Sequence, residues 1–481
     1  MTAKAVLLRF LFFATAMILL GWISTSPTRA LAQGCSPVAG NNLVYGNCST
    51  QSSFGSQSYI DVSSATTSAT GDLCARIASV LATSGLKAGT VVDARGIVPP
   101  TPLSCSSDPF IIGVNGSGQP IFAPPSVVLL PSGTITTSSS WVVPDETQLI
   151  GEGPGITTLQ AASGFADPFV YAGTNGTANP AVIHMGAPNT SATVTQGIVF
   201  AVRILHLTVD GNRQTVSSTY IDGIDNNNAE EQSYVDDVTI QNVLANGLYL
   251  SADPDSTGDG AADHSGPYTN IVFQQTSGLP KSATNCVNIT ANVEPRGIHG
   301  ISCLGDSTSA ATYAILLNGN STTIEDARID GFNTGIYVGS TGDPTQANLL
   351  FNITGTDTVG SVTNLINIDN TGTGSSPINL AISAVSLTTS AGTPCTIDDH
   401  TTSTCVTNSS VGMYLLGQPV STSNITYGYS RFTTSPNFAT WIVGSTSASI
   451  TGKSCTANGS IFSSTTGTGG SMWACVAGAW K

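Results

Sequence analysis

The sequence predicts an all-β chain folded mainly as a parallel β-helix, and three observations carry that expectation. From about residue 127 to 390, short segments of Val, Ile, Leu and Thr recur between Gly, Asn and Asp, with almost no helical periodicity. Stretches of this region can be laid over one another. Residues 236–243 followed by 247–250 match 325–332 followed by 335–338, and residues 206–212 with Gly223 and Ile224 form a weaker third copy. Each unit is a strand, a polar turn and a Gly-led second strand. Strand centres recur near Thr208, Thr239, Val272, Ile324, Phe351 and Leu380, most steps being roughly 27 to 35 residues, with a longer one around 300 that has room for an extra coil or a loop. Two strands and their turns cannot bury an apolar face alone, whereas stacked coils bury it continuously, alternate residues pointing into the bore. A β-sandwich would show Asn-Gly or Asp-Gly hairpins between alternating strands, and here such pairs end the units irregularly.

The elements follow in order. Residues 1–32 read as a cleavable signal peptide: Lys4 and Arg9 precede an apolar run from Phe10 to Ile23, and Ala30-Leu31-Ala32 supplies the small-residue cleavage site. The run is short for a bilayer span, so the mature chain is expected to be secreted or held at the cell surface without stable membrane insertion. Residues 33–126 form a lead-in and capping region. Within it Asp72 is the N-cap of a helix that carries Leu73, Ile77, Val80 and Leu81 on one face and ends near Gly85. A helix placed there suits the task of covering the apolar end of a solenoid. Residues 91–94 and 127–130 are the first expected strands. The β-helix occupies 127–391, and 392–481 is a C-terminal β region with a hairpin clasped by Cys455 and Cys475. Trp473 and Trp480 in that hairpin can stack on sugar rings or make a very small core.

Composition removes some functions. Cleavage after Ala32 would remove Lys4, Arg9, Arg29 and no acid, shifting the formal charge from −15 to −18. Charged residues are 9% of the chain and no basic patch occurs, which excludes the phosphate contacts a nucleic-acid binder needs. The ten cysteines all follow the cleavage site and fall as neighbours: Cys35 and Cys48, Cys74 and Cys105, Cys286 and Cys303, Cys395 and Cys405, Cys455 and Cys475. An even number in an exported chain implies disulfides, and sequential pairing is the simplest connectivity.

At residues 128–135 (Val-Leu-Leu-Pro-Ser-Gly-Thr-Ile), 149–159 (Leu-Ile-Gly-Glu-Gly-Pro-Gly-Ile-Thr-Thr-Leu) and 207–212 (Leu-Thr-Val-Asp-Gly-Asn), the chain resembles the opening coils of the pectate lyase (pectin lyase-like) superfamily. The resemblance covers roughly residues 71 to 390 and implies a right-handed parallel β-helix, as parallel crossovers nearly always are. It implies an extracellular polysaccharide as partner but no single activity, because lyases, hydrolases, esterases, tailspikes and adhesins share the fold. The polygalacturonase pattern is incomplete. Asp236-Asp237 is present, the Asn-Thr-Asp and Arg-Ile-Lys motifs are absent, and Gly297-Ile298-His299-Gly300 carries an extra residue in the histidine motif. No Arg-x-Pro-x-x-Arg segment of the lyase branch occurs either.

Polysaccharide hydrolysis needs two carboxyl groups, and lyase chemistry needs a base with a cation near the uronate. The densest acidic region holds Asp210, Asp222, Asp225, Glu230, Glu231, Asp236 and Asp237. Because matching positions in successive coils lie about 4.8 Å apart, stacking can bring Asp210 or Asp222 to Asp237. Asp222, Asp225 and Asp237 are therefore the candidate acid and base, and Arg213 or Arg328 the candidate partner of a substrate carboxylate. Asp and Asn also favour turns, which is the alternative for each acid. Asp253, Asp255, Asp259 and Asp263 stand at positions 1, 3, 7 and 11 of a loop with Gly258 at position 6, a pattern suited to Ca²⁺; Thr257 at position 5 and His264 in place of the twelfth-position Glu depart from it, and a solvated acidic loop is the alternative. The five histidines are scattered without a neighbouring nucleophile, so ordinary surface or core placement is expected for each. Two functions remain open: an enzyme that cleaves an extracellular polysaccharide, or a non-catalytic adhesin, matrix or tailspike-like glycan binder.

Overall fold

The computed structural model describes residues 59–64, 72–97, 103–169, 179–187, 198–212, 220–251, 264–275, 285–290, 293–305, 312–319 and 321–339. Beyond these it describes 349–354, 356–358, 362–369, 378–385, 395–399, 404–406, 412–417, 426–427, 429–430, 440–444, 461–464, 472–476 and 479–481. The chain divides into two units, 1–54 and 55–481, and every described residue belongs to the second.

Parallel pairing runs through the coils. Strands Tyr59–Asp61, Thr90–Asp93, Ser126–Leu129, Gln148–Ile150, Arg203–Asp210, Tyr234–Gln241 and Tyr268–Gln274 stack in one sheet. A second sheet stacks Trp141–Val143, Ala181–Met185, Asp222–Asn226, Asn246–Leu250, Asn285–Ile289, Tyr313–Leu317, Phe332–Gly339, Val362–Asp369 and Cys395–Asp399. The extra coil expected near residue 300 is present as Ile298–His299 and Ser302–Leu304, which pair on both sides. The overlay read from the sequence is the physical register: Asp236 pairs with Thr269, Thr269 with His299, and His299 with Glu325. The ladder starts at Tyr59, earlier than the strands expected at 91 and 127. Antiparallel pairing enters at Cys395–Asp399 with Thr404–Val406 and at Ile378–Val385 with Gly412–Gly417.

Each sheet turns one row of apolar side chains inward. Val92, Val128, Leu149, Ile204 and Val235 are successive partners in the first sheet and are all fully buried. In the second, Trp141, Ile183, Ile224, Leu248, Val287, Ile315, Ile336 and Ile366 do the same. Burying each such side chain stabilises the stack by about 1.5–3 kcal/mol before entropy is counted. The Gly-led second strand has a steric cause. A Cβ on Gly223 would lie 2.4 Å from Ile240 Cγ2 and 2.7 Å from the Gly247 carbonyl oxygen, and one on Gly247 would lie 2.5 Å from Phe273.

The helix spans Leu73–Leu81. Asp72 caps it by accepting from Ala75 N–H at 2.9 Å, and Leu73, Ile77, Val80 and Leu81 are buried. Asp72 also accepts from Ser106 N–H at 2.9 Å and Oγ at 2.5 Å, and the Cys74–Cys105 disulfide fastens the helix to the strand Leu103–Cys105. A second disulfide, Cys286–Cys303, is buried in the core and links the two sheets. Cys35, Cys48 and Cys455 lie outside the described residues. Cys405 is the register partner of Asp398, and Cys475 that of Trp480. Trp473 faces Phe462 in the C-terminal sheet. Among the described residues no helix is long and apolar enough to cross a membrane.

Candidate functional site

Carboxyl groups gather on the second sheet near its N-terminal coils. The tripeptide Asp-Pro-Phe occurs twice, at 108–110 and 167–169, and does the same local work each time. Asp108 accepts from Phe110 N–H at 2.9 Å, and Asp167 from Phe169 N–H at 2.7 Å, each folding the chain into an Asx turn. Their second oxygens reach the sheet: Asp108 takes Val142 N–H at 2.9 Å and Asp167 takes Ala181 N–H at 2.9 Å. Asp222, one coil on, takes both Asn246 N–H at 2.6 Å and its side-chain amide at 2.8 Å. Each carboxylate thus satisfies an amide where a strand of the second sheet begins.

His184 sits at the centre of this group and is fully buried. Its Nε2 is 2.8 Å from Asp167 Oδ2, and its Nδ1 is 3.4 Å from Asp225 Oδ2, an ion-pair distance without hydrogen-bond alignment. His184 and Asp225 are direct register partners on adjacent strands. Burial alone would lower the imidazole, but the charge of Asp167 and the hydrogen bond to it, helped by Asp225, hold His184 up at about 10. The same imidazolium outweighs burial at Asp167 and keeps that carboxyl below its ordinary range. Asp225 is raised by burial, with His184 partly offsetting it. Burial and then the charge of Asp225 push Asp222 up to about 7, and burial pushes Asp108 to about 7. His184 Nδ1 and Asp225 Oδ1 have no hydrogen-bond partner although both are buried. An unpaired buried polar atom costs about 1–3 kcal/mol, and Asn227, Ser251 and Thr290 carry others.

The structure separates the sequence-predicted candidates. Asp222 and Asp225 share the strand Asp222–Asn226 and belong to this cluster. Asp237 lies on the other sheet, and the stacking expected to bring it to Asp210 or Asp222 does not occur: Asp210 stacks on Gln241, and Asp222 on Ala181. The cause is a bend. Asp237 has φ 52° and shares a left-handed turn position with His206, Asn270 and Asp326 (φ 55°, 53° and 54°), one per coil. Its carboxylate points to solvent and meets His206 Nδ1 at 2.8 Å, with both side chains 46% exposed. Asp210 is held by the amides of Gln160 and Gln241, each at 3.0 Å. Arg328 is exposed on the first sheet, in register with Ser302 and Asp357. Arg213, Asp253, Asp255, Asp259 and Asp263 lie outside the described residues. Among the described residues, Asp72 groups with Cys74 and Cys105 at metal-ligand spacing, but those two sulfurs are bonded to each other.

His184, Asp108 and Asp167 were not among the expected site residues. Two signals in the sequence point to them: the repeated Asp-Pro-Phe, and the match of Val182-Ile183-His184 to Gly223-Ile224-Asp225, which sets His184 over Asp225.

No protein-family model matches the chain, and no curated protein matches it by sequence. Solved structures with a similar course of the chain include two mannuronan C-5 epimerase A-modules from Azotobacter vinelandii. That of AlgE4 is 13% identical, with 61% of this chain and 87% of that chain covered and a TM-score of 0.30. That of AlgE6 is 15% identical, covering 61% and 94%, with a TM-score of 0.25. The catalytic domain of a GH87 alpha-1,3-glucanase, in complex with nigerose, is 11% identical over 74% of this chain and 68% of that chain, with a TM-score of 0.32. These likenesses concern the solenoid and assign no residue here.

Proposed function

We propose that this chain is an exported glycan-active protein that binds an extracellular polysaccharide on the outer face of the second sheet and hydrolyses it at Asp222, Asp225 and His184. The observation that carries the reading is the pair of unpartnered buried atoms, Asp225 Oδ1 and His184 Nδ1, beside a carboxyl titrating near neutrality. Asp222, near 7, holds a proton that it can give to a leaving glycosidic oxygen. Asp225, beside the imidazolium, takes the partner's role once its raised carboxyl has lost its proton: it accepts a proton from water or attacks the sugar carbon, the two roles glycoside hydrolysis divides between carboxyl groups. Asp167 fixes the ring of His184, and the imidazolium offsets part of the rise that burial imposes on Asp225.

The burial of these carboxyls favours a second reading. Asp222 is 1% exposed and Asp225 is 3% exposed, which suits a glycan-binding protein whose acids only brace the coils. Assaying the secreted chain on a polysaccharide panel for new reducing ends and for unsaturated uronates, with and without Ca²⁺, separates the two. The hydrolase reading expects reducing ends from the wild type and none from Asp225→Asn. Tight glycan binding without turnover supports the binder, and turnover undiminished in Asp225→Asn removes the proposed site.

A further inference from the structure

We infer that Asn115 is a site of spontaneous modification, where the backbone nitrogen of Gly116 closes on the Asn115 side chain to a cyclic imide that water opens to aspartate or isoaspartate. The inference stands apart from the functional reading above and rests on one hairpin.

Strands Ile111–Val114 and Pro120–Phe122 pair antiparallel, and Asn115-Gly116-Ser117-Gly118-Gln119 turns the chain between them. Asn115 N–H donates to the Gln119 carbonyl at 2.8 Å, Gly118 N–H donates to the Asn115 carbonyl at 2.9 Å, and Gly118 has φ 76°. The hairpin is anchored at its base, where Ile111 and Phe122 pack against Val142, Phe169 and Ala187. Its tip is exposed from Val114 to Gly118, so the tip can change chemically without unseating the base.

The side chain of Asn115 is set for attack on its carbonyl carbon. Oδ1 accepts backbone N–H groups from Ser117 and Gln119, each at 2.9 Å, and Nδ2 donates to Gln119 Oε1 at 3.1 Å. When Gly116 N bonds to Cγ, negative charge gathers on Oδ1, where those donors already point, as in an oxyanion hole. The Cγ–Nδ2 bond then breaks, and ammonia leaves with the proton released by Gly116 N. Water adds to either imide carbonyl and opens the ring. The net change is amide plus water to carboxylate plus ammonium. Nothing shields the nucleophile: a Cβ on Gly116 would meet no atom within 4 Å.

Asn-Gly occurs twice more among the described residues, at 246–247 and 318–319, and there the fold opposes the reaction. Asn246 is buried with its amide tied to Asp222, and a Cβ on Gly247 would lie 2.5 Å from Phe273 and 2.6 Å from the Cys286 carbonyl oxygen. A Cβ on Gly319 would lie 2.5 Å from the Val293 carbonyl oxygen. Ring closure swings the backbone at the glycine, which a close-packed rung resists and an exposed, glycine-rich tip allows.

The test incubates the full chain, folded and in urea, at mildly alkaline pH, with peptide mapping that resolves asparagine, aspartate and isoaspartate. In the folded chain Asn115 should convert at least about tenfold faster than Asn246 or Asn318, and no more slowly than it does in urea. Both acids should form, and in urea the three sites should converge. Gly116→Ala should slow conversion at Asn115 by about tenfold or more while leaving the urea midpoint unchanged. An Asn115 that stays intact in the folded chain, or equal folded rates at the three sites, overturns the inference. Aspartate without isoaspartate, or conversion undiminished in Gly116→Ala, marks direct hydrolysis and overturns the imide. Rates that stay unequal in urea place the selectivity in neighbouring residues and overturn the role of the fold. A glycan found on Asn115 of the secreted chain, at the triplet Asn115-Gly116-Ser117, blocks the amide and overturns the inference as well.

Discussion

The buried His184–Asp167 pair makes stability fall as pH rises above neutrality, and the size of that fall can be worked out. The imidazole titrates near 6.5 when unfolded and at about 10 in the fold, so the folded state holds a proton that the unfolded state has lost. For a raised group of this kind the contribution is complete below the unfolded value and disappears as pH climbs through the folded one. Between about pH 7 and about pH 9 the proton difference stays close to nine-tenths, which corresponds to a loss of about 2.5 kcal/mol. Asp108 and Asp222, raised to about 7, act in the same direction, but mostly over the interval below pH 7. Asp225, raised by burial, acts in the same direction, so the difference between wild type and a His184 variant, not the wild-type slope alone, reads His184. Urea unfolding at pH 7, 8 and 9, followed by tryptophan fluorescence, reads the effect, because buried Trp141 stands one rung from His184 on the adjacent strand. Wild type should lose stability steadily over this range, and His184→Gln should lose clearly less. A flat wild-type curve, or an equal slope in the variant, would refute the charged imidazolium and with it the electrostatic account of Asp225.

Other perturbations follow from the same geometry. Gly223→Ala forces a Cβ to within 2.4 Å of Ile240 and 2.7 Å of the Gly247 carbonyl, so it should cost at least about 1–3 kcal/mol, read as a lowered urea midpoint. Asp72→Ala removes the helix cap and both bonds to Ser106 and should cost about 2 kcal/mol, with faster proteolysis near the helix as a second readout. Replacing Cys286 and Cys303 together by Ser opens a loop of separation 17 and should cost about 3 kcal/mol, whereas an undiminished midpoint would mean that core packing alone joins the sheets there. Asp237→Asn should leave glycan binding and turnover unchanged, because that carboxylate faces solvent on the other sheet.

Most of the fold could be read from the sequence because a solenoid repeats its constraints. The glycines at 223, 247 and 335 recur because each must pass close to the next coil, and the apolar residues recur because each fills one layer of the bore. That repetition aligned Asp236 with Glu325 across two intervening rungs. The helix was legible through Asp72 and its one apolar face. The site was only half legible. Asp222 and Asp225 stood out as acids in a turn-rich segment, but the groups that define their environment come from residues 108, 167 and 184, two of them in turns that precede sheet strands. Asp237 was misplaced because spacing along the axis says nothing about which side of a bend a residue occupies. That depends on the left-handed backbone at Asp237, a conformation that Asp tolerates as readily as it tolerates a strand end.

The cluster also bears on why a solenoid places chemistry at the start of its second sheet. An amide where a strand begins lacks a partner from its own coil, and a buried unpaired amide is expensive, so a side-chain acceptor is selected there. A carboxylate fills the role at Val142, Ala181 and Asn246, and each brings a buried charge that must in turn be met. With only 14 Lys and Arg in the chain, one histidine meets Asp167 and the neighbouring Asp225 and leaves Asp108 and Asp222 raised toward neutrality. Proton-holding acids beside an ionised one therefore follow from closing the coils. Asp225 adds an oxygen with no hydrogen-bond donor. If Asp225→Asn stabilised the fold while leaving every glycan-dependent readout unchanged, that oxygen would be a packing defect, and a gain in stability joined to a loss of turnover would mark it as the atom that acts.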